Sequence, residues 1–437
     1  MARTLHAFVG AIHVGDLSES NGLWSFAYHK TWLAAPSRYA LAPGLPLQPE
    51  PIVDTGSDRP VQWYFDNLLP EEGVRTLLAK AVKVARSDAF GLLQAYGSES
   101  AGSLTLTSRK KVEHKKGLIE LTNKNLSARI AKLPRVPLNA DAPKRMSLAG
   151  AQHKLAIVAH EGRLYEPIGS TPSTHILKPD QSATLYPHSV INEYFTMRLA
   201  QALRLDTPKI ARRYVPQPVY LIPRFDRKKN GRTVDRLHSI DACQLLNLDR
   251  QFKYDDARLE RLSDIADRCS NKALTRVRLY EWLIFNILVG NSDAHLKNLS
   301  FLVDDRGIRI APHYDLIATS VYDTLAVHAK GHWPGVGLIW KLPGCTTFKD
   351  VSCDAMISAA QTLKIAPETA RRILHQQASQ IVQRANALVE EIQQENQAML
   401  EQDNSLGPTF AGEMRLVRAI VHVVIQDMAS RIDSPSP

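Results

Sequence analysis

The run from Leu279 to Val289, LYEWLIFNILV, is apolar nearly all the way round a helical turn. A helix without a broad polar stripe has to be enclosed on every side, so the chain must build a helical core large enough to surround it. Gly290 follows directly, where a left-handed C-terminal cap ends a helix. The run is shorter than the roughly 18 residues needed to span a bilayer and is interrupted by Asn286. It is therefore expected to be a buried core helix of a protein that has no place in a membrane. At 437 residues the chain exceeds one ordinary core, and two or three packed units are expected.

A hydrophobic share of 44% and a charged share of 22% fit a soluble globular protein. Met1 to Phe8 lack a basic region followed by a long apolar stretch, so no secretory signal is read and a cytoplasmic location is expected. Cys243, Cys269, Cys345 and Cys353 fall in no C-x-x-C or Cys/His ligand spacing, which argues for reduced thiols and against a zinc site built on them. The formal charge of +10 suits contact with phosphates or an acidic partner. The basic runs Arg109-Lys110-Lys111, Lys115-Lys116 and Arg227-Lys228-Lys229 read as solvated surface.

Before the core helix the periodicity changes several times. Leu5 to Val9 and Leu23 to Tyr28 are strand-like, Leu77 to Ala85 is helical, and the polar stretch from Gly102 to Lys116 reads as a boundary or arm. Lys154 to His160 and Leu164 to Pro167 predict a hairpin, Thr174 to Leu177 a strand ending at Lys178, and Ile191 to Leu203 a helix. A second hairpin is predicted from Ile210 to Ile222, and beyond Asp226 the chain is expected to be largely helical. Pro367 opens a long helix with one apolar stripe, and Ser434 to Pro437 read as a frayed tail. The expectation is an α+β chain with a two-lobed, protein-kinase-like fold: an added N-terminal subdomain over residues 1–110, a β-rich lobe over 111–226 and an all-helical C-terminal lobe over 227–437.

The chemistry concentrates just after Gly290. Asn291-Ser292-Asp293-Ala294-His295-Leu296-Lys297-Asn298 stands between the buried helix and a predicted hairpin from Leu299 to Ile310. Phosphoryl transfer to a hydroxyl needs a carboxylate to orient or accept the proton and oxygen ligands to hold magnesium on the nucleotide. Asp293 and Asn298 reproduce the D-x-x-x-x-N spacing of kinase catalytic loops, in which Asp is the base and Asn a metal ligand. Asp315, just past the hairpin, takes the place of a second metal-binding carboxylate. Taken alone, Asp293 or Asp315 caps a turn and His295 is a structural imidazole. Set in this order after one buried helix, they form a phosphoryl-transfer site, with His295 in reach of a phosphate oxygen. Lys178, at the end of its strand, supplies the cation for the nucleotide phosphates, with Glu193 on the following helix as its partner. Small residues from Ala149 to Lys154 let backbone N–H groups approach phosphates, although spacing alone fits a plain turn equally well.

The segments Ser147 to Lys154, Thr174 to Pro179, Asn192-Glu193-Tyr194, Arg224-Phe225-Asp226-Arg227, His238 to Leu246, Asn291 to Asn298 and Tyr314-Asp315 come in the order of the HipA family of bacterial toxin kinases. Asn67-Leu68-Leu69-Pro70-Glu71 resembles that family's N-terminal subdomain, so the resemblance spans roughly residues 4 to 430. It implies an ATP- and Mg2+-dependent serine/threonine protein kinase with Asp293 as base, Asn298 and Asp315 as magnesium ligands, and Lys178 and His295 as phosphate contacts. It further implies a phosphate loop of Ala149, Gly150, Ala151, Gln152, His153 and Lys154, adenine against the backbone of Pro223, Arg224 and Phe225, ribose near Asp226, and inhibitory autophosphorylation at Ser147. A small helix-turn-helix antitoxin like HipB is the implied partner, operator DNA is met only through it, and an aminoacyl-tRNA synthetase is the implied target. Two positions depart from the family: Pro223 stands where Glu commonly precedes Arg-Phe-Asp, and His153 replaces a usual Glu. The residues also admit a small-molecule or antibiotic kinase, or a silent kinase-fold subunit of a DNA-bound repressor.

Overall fold

The computed structural model describes the chain except residues 1, 113–114, 145, 147–148, 182–184, 232 and 434–437. Two compact units share the sequence discontinuously. The first comprises Met1–Pro179, Leu221–Lys253 and Leu299–Ala311, and the second Asp180–Tyr220, Tyr254–Asn298 and Pro312–Pro437.

In the first unit, the strands Ile52–Val53, Leu23–Tyr28, Ile12–Ser20, Arg3–Val9 and Leu104–Thr107 form one antiparallel sheet in that order. Leu5 stands opposite Leu17, and Leu17 opposite Phe26. All three are buried on one face, as the two-residue period of a half-covered strand requires. Strand Leu104–Thr107 lies in the polar stretch read as an arm; it pairs instead with Arg3–Val9, because Leu104 and Leu106 point into the core.

The predicted hairpin appears as Leu155–His160 and Arg163–Gly169, turning through Glu161 and Gly162 at positive φ. It is flanked by Lys116–Glu120 on one side and His175–Pro179 on the other. A further small sheet joins His238–Asp241, Ser300–Asp304 and Gly307–Ile310. Ser300–Asp304 and Gly307–Ile310 are the hairpin expected from Leu299 to Ile310, but the stretch after 226 is otherwise not all helical: it also holds His238–Asp241 and the hairpins Arg227–Asn230 with Thr233–Arg236 and Gly337–Leu342 with Cys345–Thr347. Strand runs of three to six residues are too short for periodicity to register against the long helices around them.

The second unit packs the helices Ser189–Ala202, Leu259–Arg268, Lys272–Leu288, Cys353–Thr362, Pro367–Leu400, Gly407–Ala419 and Gln426–Asp433. The helix Lys272–Leu288 buries every residue from Leu279 to Leu288 except Glu281. Gly290 ends it at φ 64, and a Cβ there would come 2.6 Å from Val424 Cγ1. Gly290→Ala therefore adds left-handed strain of about 1–2 kcal/mol to a steric clash. A clear fall in the urea midpoint is expected, and an unchanged midpoint would show that the backbone relaxes freely there. Among the described residues no helix is long and apolar enough to cross a membrane.

Candidate active site

In the second unit the chain leaves the buried helix through Gly290 and enters a loop that buries Ala294 and Leu296 and is pinned by a series of polar contacts. Asn286 Nδ2 bonds the Trp282 carbonyl at 2.8 Å, and Asn291 Nδ2 bonds Asn286 Oδ1 at 2.6 Å. Asn291 Oδ1 in turn accepts the Asp293 N–H at 3.0 Å. Ser292 is fixed by Thr319, whose hydroxyl oxygen accepts its N–H at 2.6 Å. Trp340 Nε1 donates to the Ala294 carbonyl at 2.5 Å, and Tyr314 Oη to the Lys297 carbonyl at 2.9 Å. A loop pinned at this many points holds its side chains preorganised, as a transferring site requires.

Two predicted residues, Asn298 and Asp315, meet here. Asn298 Nδ2 donates to Asp315 Oδ2 at 2.9 Å, and Asn298 Oδ1 accepts the His295 N–H at 3.0 Å. Asp315 has φ 59, a left-handed conformation in which a non-glycine residue stores strain, and such strain gathers at functional sites. Asp293 sits on the same loop, where Tyr254 Oη donates to its Oδ1 at 2.6 Å. The Tyr254 ring meets His295 edge-on, with centroids 4.9 Å apart. Tyr254 carries no motif of its own in the sequence, and only the tertiary fold places its hydroxyl on the carboxylate.

Glu193 is buried on the helix Ser189–Ala202. Asn192, beside it, grips the segment after Asp315 from both directions: its Nδ2 donates to the Ala318 carbonyl at 3.1 Å, and its Oδ1 accepts the Ala318 N–H at 2.9 Å. Asp180 accepts the Val190 N–H at 2.7 Å at the start of the helix, and burial raises its carboxyl to about 6. Burial, followed by the charges of Glu193 and Asp315, lifts the Tyr220 phenol well above its ordinary value.

The remaining predicted residues belong to the first unit. Lys178 is buried at the end of the strand His175–Pro179. The segment Ala149 to Lys154 runs beside it, with Gln152 Nε2 3.5 Å from the Pro179 carbonyl. Lys154 Nζ donates to the Ala149 carbonyl at 2.6 Å, across Gly150 at φ 102. A Cβ on Gly150 would lie 2.9 Å from that ammonium, so the loop closes this tightly only with glycine. Burial lowers His153 below its usual value, which favours the neutral imidazole in this loop. Ser147 lies outside the described residues.

Arg224 and Asp226 make buried contacts that the sequence did not suggest. Asp226 is buried between Arg224, at 2.7 Å, and Arg227, at 3.1 Å, and accepts the Gly102 N–H at 2.6 Å. Glu99, fully buried, meets Lys144 at 2.6 Å, Arg227 at 3.0 Å, Arg224 at 3.3 Å and Arg236 at 3.4 Å. Ser173 adds its hydroxyl at 2.6 Å. Although burial opposes it, the surrounding cations hold the Glu99 carboxyl well below the ordinary range. The Pro223–Phe225 backbone is thereby anchored to residues more than a hundred positions earlier in the chain.

Comparison with known proteins decides the family. A model of the HipA-like C-terminal domain matches residues 146–385, and one of the HipA N-terminal domain matches residues 5–107. The chain belongs to the HipA-like family. The serine/threonine-protein kinase toxin HipA of Shewanella oneidensis is 29% identical to it over 338 residues, covering 73% of this chain and 76% of the relative. Y4mE of Sinorhizobium fredii, designated a kinase on inference, is 34% identical over 338 residues, covering 74% and 79%. A solved structure of the Shewanella oneidensis HipA, HipB and operator DNA complex superposes with a TM-score of 0.76 at 23% identity, over 98% of this chain and 99% of that one. At that identity the likeness is one of fold. This HipA-like chain thus has its mixed α/β architecture from the family, and the N-terminal match falls within the subdomain expected over residues 1–110.

Proposed function

We propose that this HipA-like chain transfers the γ-phosphoryl group of ATP to a serine or threonine hydroxyl of a protein and acts as the toxin of a toxin–antitoxin pair. The observation that carries the reading is the pairing of Asn298 with Asp315 on the loop that presents Asp293. These groups offer only oxygen ligands, one amide and one carboxylate, and such donors suit magnesium rather than a softer metal. When bound there, magnesium neutralises charge on the nucleotide phosphates.

The chain's own groups do the rest. Asp293 accepts a hydrogen bond from a hydroxyl, as it does from Tyr254, and so orients and deprotonates the acceptor. His295 and Lys178 hold phosphate oxygens. The backbone N–H groups of Ala149 to Lys154 cradle the phosphates. The backbone of Pro223 to Phe225 meets adenine, while Arg224 and Asp226 position that segment through the Glu99 cluster.

A small helix-turn-helix antitoxin similar to HipB is the proposed partner, operator DNA is reached through it, and a translation component such as an aminoacyl-tRNA synthetase is the proposed target. Incubation with labelled ATP and magnesium is expected to label a protein acceptor, and chelation with EDTA to abolish the label. Label appearing on small metabolites and on no protein would overturn the assigned acceptor class. Ser147 is expected to be phosphorylated in the same incubation, since two added negative charges beside the loop repel the nucleotide's phosphates. Mass spectrometry that finds Ser147 unmodified in an active preparation counts against this regulation.

A further inference from the structure

The N-terminal sheet carries a cluster that phosphoryl transfer does not use. His6 lies directly opposite Asp16 in the antiparallel register of Arg3–Val9 and Ile12–Ser20. His13 and Asp16 are three residues apart, a separation that puts side chains on opposite faces of a regular strand. A bulge corrects this: Ala7 pairs with Gly15 but Phe8 pairs with His13, so Val14 is skipped and the odd spacing brings His13 onto the face of Asp16.

The outcome is one carboxylate oxygen held between two imidazoles. Asp16 Oδ1 is 2.6 Å from His6 Nδ1 and 2.7 Å from His13 Nε2. The three ligand atoms all lie within 4.8 Å of one another. The side chains are 13%, 22% and 40% exposed for His6, His13 and Asp16, so the cluster is sheltered yet open to solvent on the carboxylate side. The His13 ring is clamped, stacked on Phe8 with centroids 5.0 Å apart and against His29 at 4.4 Å. His29 is itself tethered, with its Nδ1 2.7 Å from Thr31 Oγ1.

We propose that His6, His13 and Asp16 form a binding site for a first-row transition-metal ion, zinc above all. Two imidazole nitrogens and one carboxylate oxygen, with water in the fourth position, make a tetrahedral N2O set of the kind zinc takes. Bonds of about 2.0–2.1 Å put neighbouring ligand atoms about 3.3 Å apart, so the two His–Asp pairs need to open by only about 0.6–0.7 Å, a small rotation of each ring. The ion would take each imidazole at the nitrogen that now faces Asp16, Nδ1 of His6 and Nε2 of His13, with the ring proton on the other nitrogen. The ion then bridges the first two strands of the sheet at the bulge. This site is independent of the kinase reading.

The test uses the full chain stripped with EDTA, titrated with zinc chloride against a chromophoric zinc indicator. His13→Gln and Asp16→Asn are run alongside. The wild-type chain is expected to take up one tight zinc equivalent more than either variant, or to hold it at least about tenfold more tightly. Cobalt is expected to give the wild type a visible absorption band that the variants lack, and zinc to raise the melting temperature of the wild type alone. Comparison between chains removes any contribution from Asn298 and Asp315, which all three share. Far-UV circular dichroism in EDTA verifies folding, and Asp16→Asn, being isosteric, decides the matter where His13→Gln does not fold. Equal zinc uptake and affinity in all three chains would overturn the site.

Discussion

Asp293→Asn is expected to reduce phosphoryl transfer to protein by about 10²–10⁴-fold while leaving ATP affinity near that of the wild type. That range is what a positioned general base contributes to a proton-coupled transfer. The carboxylate stands on a loop fixed by Asn291, Thr319 and Trp340, so replacing one oxygen by an amide group changes the basicity of the position and little of its shape. The amide oxygen still accepts from Tyr254 Oη, which preserves the local contact. Single-turnover labelling with ATP and magnesium, together with nucleotide binding measured separately, reads the two quantities. A variant that labels protein at near wild-type rate removes Asp293 from the role of base. Loss of both transfer and nucleotide binding would instead mean that the loop had collapsed.

Glu99→Gln is expected to be the most damaging single change in the first unit, lowering its stability by about 3–5 kcal/mol, the usual cost of stripping one partner from a buried ion pair. Glu99 faces Lys144, Arg224, Arg227 and Arg236, with Asp226 as a second carboxylate in the cluster. Its neutralisation leaves four cations against one anion. Burial already draws Lys144 down to about 8, so the cluster has little reserve against further positive excess. The exposed Glu50 is the matched control, where the same substitution is worth less than about 0.5 kcal/mol. Guanidinium denaturation, followed through the N-terminal tryptophans, compares the two; equal midpoints would mean that the cluster contributes nothing net.

The same cluster sets an acid limit. Arg224 and Arg227 hold Asp226 at about 2 against its ordinary 3.8, in spite of burial. A carboxyl depressed in the folded state adds stability that is complete above 3.8 and is lost as pH falls through about 2.

Much of this protein was written locally. The stripe of Leu279 to Val289, the cap at Gly290 and the spacing from Asp293 to Asn298 are short-range properties, and each sits where periodicity and turn chemistry put it. The hairpins around Glu161 and Pro216 and the long helix from Pro367 were legible for the same reason. The hairpin expected from Leu299 to Ile310 also formed, whereas the strands Arg227–Asn230, His238–Asp241 and Cys345–Thr347 were not legible, because runs of three or four residues carry too few alternations to stand out.

Residue types and their order along the chain pointed to the family and nominated Asp293, Asn298 and Asp315 for their proposed roles. Three things were settled only in three dimensions: the Tyr254 hydroxyl on Asp293, the four cations gathered around Glu99, and the bulge that turns His13 toward Asp16. The first two join residues tens to more than a hundred positions apart, a separation that no local pattern encodes. The third depends on one skipped residue in a ladder, which reverses the face of every side chain beyond it.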